Sequence, residues 1–247
     1  MAETMEFLIE AAQMIYDSEY LIALTGAGIS SESNVPTFRG PDGLWKNYNA
    51  MELATPQAFA NDPNLVWEWY HWRQGLIRNC QPNPAHHILA KWEKNGLLKH
   101  LITQNVDDLH HRAHSQIMTQ VHGSIFRLRC TSCEYTRRLN DLEETLPRCP
   151  NCHSNLRPDV VWFGESLDPI VIATVYEQLG LADTILVIGT SGIVHPAASF
   201  PIIVKQQGGD MIEVNIEPTP LTPMADVHLL GKAGEILPAI DAILSEM

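Results

Sequence analysis

Cys130, Cys133, Cys149 and Cys152 form two Cys-x-x-Cys pairs with fifteen residues between them, the spacing of a four-thiolate zinc ribbon. Each pair clasps a tetrahedral ion from one knuckle, and four thiolates leave no open position for water, so the zinc is structural rather than catalytic. Two disulfides are the other reading of the same spacing, and a reducing compartment disfavours them. Cys80, the fifth cysteine, reads as a small buried hydrophobe in a helix or at its exit.

A second concentration of chemistry runs from Thr103 to His114 as TQNVDDLHHRAH, directly after an apolar run. One Asn or Asp is enough to cap a helix, so the second amide and the second acid look surplus to an ordinary helix start. Asp108 reads as a helix cap or a surface acid. His110, His111 and His114 have helical spacing, which suits either metal ligands on one face or, the preferred reading, a solvated face. His122 follows in VHGS. A lone histidine after a strand is commonly structural, but an imidazole with a pKa of about 6.5 also suits general-base work near neutral pH.

GAGISSES (Gly26 to Ser33) follows a short apolar run. Its close glycines let backbone approach a phosphate, although Ser31 stands where a full Gly-x-Gly-x-x-Gly would have its third glycine, and a plain tight turn accounts for it equally well. NVPTFRGPDGLW (Asn34 to Trp45) then adds Phe38 and Arg39, which a turn alone would not need. Tyr70 and Arg73 are three apart in VWEWYHWRQ and share a helix face. They serve either as an anion-binding pair or as parts of an amphipathic helix packed through Trp67, Trp69 and Trp72.

These residues need elements to hold them. YLIALTGAG, LLKHLITQN, TILVIGTSG and MIEVNIE are short β-prone apolar runs that end in polar or glycine residues. Helical patterns such as PNPAHHILAKWEKNG and SFPIIVKQQGG lie between them. Strand and helix alternate as a parallel α/β sheet requires, and such sheets gather ligands at their C-terminal strand edges. Pro36 to Pro82 and Phe126 to Arg157 break the alternation and read as insertions. The expectation is a Rossmann-like part over about 1–35, 83–125 and 158–247, with a smaller module of helices (about 36–82) and zinc ribbon (about 126–157).

With 247 residues, 45% hydrophobic and 18% charged, the chain suits a globular protein with a large core. The net charge of −13 disfavours nucleic acid and anionic membrane as partners. No stretch nears the roughly 18 to 20 apolar residues of a membrane span. The segment MAETMEFLIEAAQMIYDSEY reads as an amphipathic helix rather than a signal peptide, so the expected location is the cytoplasm.

GAGISSESNVPTFRGPDGLW, TQNVDDLHHRAH, VHGS, the paired Cys-x-x-Cys, RPDVVWFGE and GTSGIVHPAAS occur in one order. Together they resemble the sirtuins, NAD-dependent protein-lysine deacylases, and in particular prokaryotic members of the class that accepts acidic acyl groups. The resemblance runs from about Tyr20 to the C-terminus and implies NAD and one structural zinc ion.

By this resemblance Gly26, Ala27, Gly28, Ile29, Phe38, Arg39 and Trp45 belong to the cofactor loop. Gln104 and Asn105 face the ribose, and Asp107 holds the nicotinamide carboxamide. Gly189, Thr190 and Ser191 contact phosphate and ribose, Asn215 and Glu217 the adenosine ribose, and Ala233 the adenine end. His122 becomes the base that takes a proton from the ribose hydroxyls, with Asn105 beside it as a catalytic residue.

The segment VVWFGE (Val160 to Glu165) resembles the strand that pairs with the substrate peptide, through Val161, Phe163, Gly164 and Glu165. Tyr70 and Arg73 match the Tyr-x-x-Arg pair of desuccinylases and demalonylases, a guanidinium and a phenol set to hold an acyl carboxylate. The implied reaction consumes an acyl-lysine protein or peptide and NAD. It yields lysine, nicotinamide and O-acyl-ADP-ribose. Mono-ADP-ribosyl transfer and a non-catalytic NAD or ADP-ribose sensor are the alternatives. The chain departs from the family at Asn34 and His114, where glycine is usual, and at His111, where glutamate is usual.

Overall fold

The computed structural model describes residues 2–35, 44–45 and 48–247, with side chains described over 5–35 and 51–247. Phe38 and Arg39 lie outside the described residues, and Trp45 is described as backbone alone. The chain begins with α1 (Ala2–Asp17), β1 (Leu21–Thr25) and the short α2 (Ala27–Ser31). A small hairpin, β2 (Leu44–Trp45) with β3 (Tyr48–Asn49), precedes α3 (Ala50–Leu53), α4 (Pro56–Asn61) and α5 (Pro63–Asn79). Next come α6 (Pro84–Lys94), β4 (Leu98–Thr103), α7 (Leu109–Arg112) and β5 (Met118–Gln120). The strands β6 (Gly123–Cys130), β7 (Thr136–Arg138) and β8 (Leu156–Val160) follow. The remainder holds α8 (Pro169–Leu181), β9 (Thr184–Ile188), α9 (Phe200–Gln206), β10 (Asp210–Asn215), β11 (Val227–Leu230) and α10 (Ala233–Leu244).

Six strands make one sheet in the order β11-β10-β9-β1-β4-β5, and every pairing in it is parallel. Its central strands read as unbroken apolar runs because both faces are covered. All residues of β1 and β9 are buried. One face packs on α1, α6 and α10 through residues such as Ile15, Leu89 and Leu237, and the other on α8 and α9 through Val175, Leu179 and Val204.

Helix starts follow a repeated rule: a polar residue, then proline. Thr55 caps α4 by accepting from Ala58 N at 3.0 Å, Asp62 caps α5 from Leu65 N at 3.0 Å, Asn83 caps α6 from Ala85 N at 3.0 Å, and Asp168 caps α8 from Ile170 N at 2.7 Å. The proline costs no hydrogen bond at the first helical position and fixes φ for the turn.

The second sheet, in the order β7-β6-β8, is antiparallel and carries the cysteines. Trp67 of α5 inserts into its core with Leu128, Leu139, Cys149 and Leu156, and its indole N–H donates to Glu143 O at 3.0 Å. The helical and ribbon segments thus share one core although they are far apart in sequence.

The strand expected over VVWFGE is shorter than anticipated. β8 ends at Val160, and Val161–Glu165 forms a turn in which Gly164 has φ of 86°. The Glu165 carboxylate drives the turn by accepting from Trp162 N at 2.9 Å while both its oxygens take Arg157 Nη donors at 2.7 Å.

Candidate active site

The turns that leave β1, β4, β9 and β10 meet at one edge of the parallel sheet. Thr25 lies in register with Thr103 and with Ile188. Beyond that level Gly26 N–H donates to Ile188 O at 3.0 Å, Gln104 N–H to Thr25 O at 2.9 Å, and Gly189 N–H to Val214 O at 3.0 Å. Four loops distant in sequence are thereby fixed at the C-terminal strand edge, where parallel sheets bind ligands.

Gly28 and Gly189 touch backbone to backbone. Gly28 N–H donates to Gly189 O at 2.8 Å, a Cβ on Gly28 would stand 2.7 Å from Gly189 Cα, and Gly189 has φ of 57°. Side chains at either position would force the two loops apart. A pocket beside them is lined by Gly28, Glu32, Asn215, Ile216, Gly231 and Ala233. Glu32, which spacing gave no reason to single out, accepts from Gly234 N at 3.0 Å and so ties α2 to the start of α10. Glu217 is exposed, outside this lining.

Gln104 Nε2 donates to Thr190 Oγ1 at 2.9 Å, joining the β4 and β9 loops, and Asn215 Nδ2 donates to Thr190 O at 2.9 Å. Asn105 is buried, its Nδ2 donating to Gly26 O at 2.9 Å and Ser30 Oγ at 3.2 Å. The amide is held on its nitrogen side, which leaves its oxygen outside these two bonds. Asp107 is buried, and burial raises its carboxyl pKa against the opposing hydrogen bonds from Leu109 N–H and Ser30.

His122 Nδ1 lies 3.0 Å from Gln104 O. A carbonyl only accepts, so Nδ1 carries the proton and Nε2 keeps its lone pair. Burial lowers the imidazole pKa, opposed by that same hydrogen bond, and the ring is neutral at pH 7. A neutral, oriented imidazole is the form a general base requires.

Tyr70 and Arg73 lie on the inner face of α5, 2% and 3% exposed. Tyr70 Oη accepts from Trp162 Nε1 at 2.7 Å. Burial pushes the phenol up to about 12, so it remains a neutral O–H. Burial also pulls Arg73 down, opposed by Tyr70 and by Asp107, but a guanidinium stays charged even so. Arg157 stacks 3.4 Å from the Trp162 ring centroid. The clamp that turns Val161–Glu165 therefore also positions the donor to Tyr70. The structure shows Glu165 as part of that clamp. Phe163 is 45% exposed.

Two expectations about TQNVDDLHHRAH are corrected. His110 is 2% exposed, its Nε2 lying 2.9 Å from Thr25 Oγ1; it packs inward against the ring of His86 on α6. Asp108 stands at the N-terminus of α7 with φ of 60° but makes no side-chain cap bond. It is 5% exposed, because its carboxylate is claimed by donors from other segments.

The four cysteine sulfurs of the paired motifs all lie within 4.8 Å of one another, the only such cluster of metal-ligating side chains among the described residues. Four soft sulfurs at that spacing fit a tetrahedral zinc ion. The two glycine-built loops and the neighbouring amides likewise fit a dinucleotide.

The Sir2 family model matches residues 26–196. The NAD-dependent protein deacylase of Pyrococcus furiosus is 54% identical over 238 residues, covering 94% of this chain and 95% of that protein. A solved Sir2 homolog in complex with NAD matches with a TM-score of 0.92 at 51% identity, over 96% of this chain and 94% of that one. Sir2Af2 bound to a myristoylated histone peptide matches with a TM-score of 0.80 at 34% identity, over 98% and 97%. Fold, cysteine cluster and relatives agree: the chain belongs to the Sir2 family, the sirtuins.

Proposed function

We propose that this protein is an NAD-dependent protein-lysine deacylase that removes acetyl groups and acidic acyl groups such as succinyl and malonyl, acting in the cytoplasm. The single observation that carries the acidic-acyl reading is the Tyr70–Arg73 pair, a buried phenol O–H beside a buried guanidinium. A guanidinium and a phenol O–H on one helix face can both donate to a carboxylate. The proposal adopts the sequence-based division into a Rossmann-like part and a smaller helix-and-ribbon module.

NAD, when bound, supplies an electrophilic ribose carbon with nicotinamide as its leaving group. Gly26 to Ile29 would hold its phosphates, Gly189 to Ser191 phosphate and ribose, Asn215 and Ala233 its adenosine end, Gln104 and Asn105 its second ribose, and Asp107 the carboxamide. His122 Nε2, with its lone pair free, would take a proton from the ribose hydroxyls. The acyl-lysine stem enters beside Val161, Phe163 and Gly164, its peptide recognised through backbone. One water enters overall. Lysine, nicotinamide and O-acyl-ADP-ribose leave.

NAD-dependent removal of acetyl and succinyl groups from one lysine peptide, by wild type and Arg73→Met, tests the reading. Loss of desuccinylation with retained deacetylation is expected of the variant. No turnover of either peptide by wild type overturns the deacylase reading, and an unchanged preference in Arg73→Met overturns the carboxylate clamp. His122→Ala is the inactive control, expected to bind NAD and lose about 10²- to 10⁴-fold in kcat. Full activity in it would return the sensor reading.

A further inference from the structure

The second acid of TQNVDD has a carboxylate that the helix after it does not use. Asp108 Oδ1 accepts from Gln120 Nε2 at 2.9 Å and from Ser124 Oγ at 2.7 Å, while Oδ2 accepts from Arg138 Nη2 at 2.7 Å. Gln120 and Ser124 lie on either side of His122, at the end of β5 and in β6. Arg138 ends β7 in the ribbon sheet and is 57% exposed.

We propose that Asp108 is a positioning residue for deacylation, clipping the loop that carries Asn105 and Asp107 to both flanks of His122 and bracing that joint against the zinc ribbon. The proposal rests on the deacylase reading.

The conformation argues against a local role. At φ of 60° the backbone suits Gly or Asn at least as well as Asp, and the side chain caps nothing. A buried carboxylate is costly unless donors surround it, so an acid at this place is explained by its donors. Those donors divide by oxygen, Oδ1 toward the His122 segment and Oδ2 toward the ribbon. The bond between His122 Nδ1 and Gln104 O, at 3.0 Å, also joins the two loops. That bond orients the ring of His122. The Asp108 contacts fix the chain on both sides of it, and a displacement of about 1 Å at such a group can cost about 10²-fold in rate.

The zinc-loaded full chain is assayed for kcat, for KM of NAD, for ADP-ribose affinity by calorimetry, and for amide exchange over residues 104–108 and 120–124. Asp108→Ala is expected to lower kcat by about 10- to 100-fold with ADP-ribose affinity within about threefold and faster exchange in both segments. Asp108→Asn, whose oxygen still accepts from Gln120 and Ser124, is expected to restore most of kcat. A folded Asp108→Ala with wild-type kcat, or an Asn variant as impaired as Ala, overturns the proposal. Should Asp108→Ala fail to fold, Gln120→Met decides, since it removes one Oδ1 donor, whereas Ser124 Oγ also accepts from Phe126 N at 3.1 Å: lowered kcat supports the clip and unchanged kcat overturns it. A wild type without deacylase activity defeats the functional reading, and the clip is then judged by exchange, where unchanged protection in Asp108→Ala overturns it.

Discussion

His86 and His110 face each other inside the protein with ring centroids 4.7 Å apart, beneath the loop that carries Asn105. Burial lowers both imidazoles, His86 to about 2 and His110 to about 3. The unfolded chain takes up protons on these histidines below a pH of about 6.5, whereas the folded chain does so only near pH 2 to 3. Stability is therefore fully present above pH 6.5 and declines as the medium acidifies, by about 1.4 kcal/mol per pH unit for each histidine. Urea unfolding between pH 7 and pH 5 should show this slope, and His110→Gln should remove one histidine's share. Equal slopes in the two proteins would show that the pair is not the source.

Asn34 and His114, where the family usually has glycine, have φ of 62° and 75°. Asn is helped in this conformation by its short side chain, which can hydrogen-bond locally, an advantage the larger imidazole lacks. His114→Gly is expected to stabilise the protein by about 0.5–1 kcal/mol, raising Tm by roughly 1–4 °C in a chain of this size. Asn34→Gly is expected to change little. Thermal melts of both variants distinguish the cases, and a destabilised His114→Gly would contradict the strain argument.

The zinc ribbon offers an optical readout, because Trp67 packs on Cys149 and Leu156. The purified protein should carry one zinc ion per chain. Chelation, or Cys149→Ala, should release it, shift the tryptophan emission to the red and lower Tm. A chain with disulfides in place of free thiols and without bound metal would refute the four-thiolate site.

The sequence was most legible where a residue acts through its own type or its immediate neighbours. The buried strands β1 and β9 announce themselves as unbroken apolar runs, the helix starts as polar-proline pairs, and the zinc site as two cysteine pairs. What stayed hidden depends on partners supplied from elsewhere. Nothing near Asp108 indicates that Arg138 will reach it, and nothing near His110 that Thr25 will lie 2.9 Å away. VVWFGE has the composition of a strand, and it becomes a turn after Val160 because Arg157 and Glu165 close on each other across it. Side-chain pairs formed across the fold override a local pattern that is correct on its own terms.

The interlock of Gly28 and Gly189 also sets an order of events during synthesis. β9 inserts between β1 and β10, with Leu21 paired to Thr184, so one wall of the dinucleotide pocket emerges early from the ribosome and the opposite wall late. An N-terminal stretch that ends before β9 has the glycine turn, the amides of Gln104 and Asn105 and the imidazole of His122 in its sequence but lacks the backbone that Gly28 leans on. The nascent chain carries the parts of the pocket long before it can assemble them.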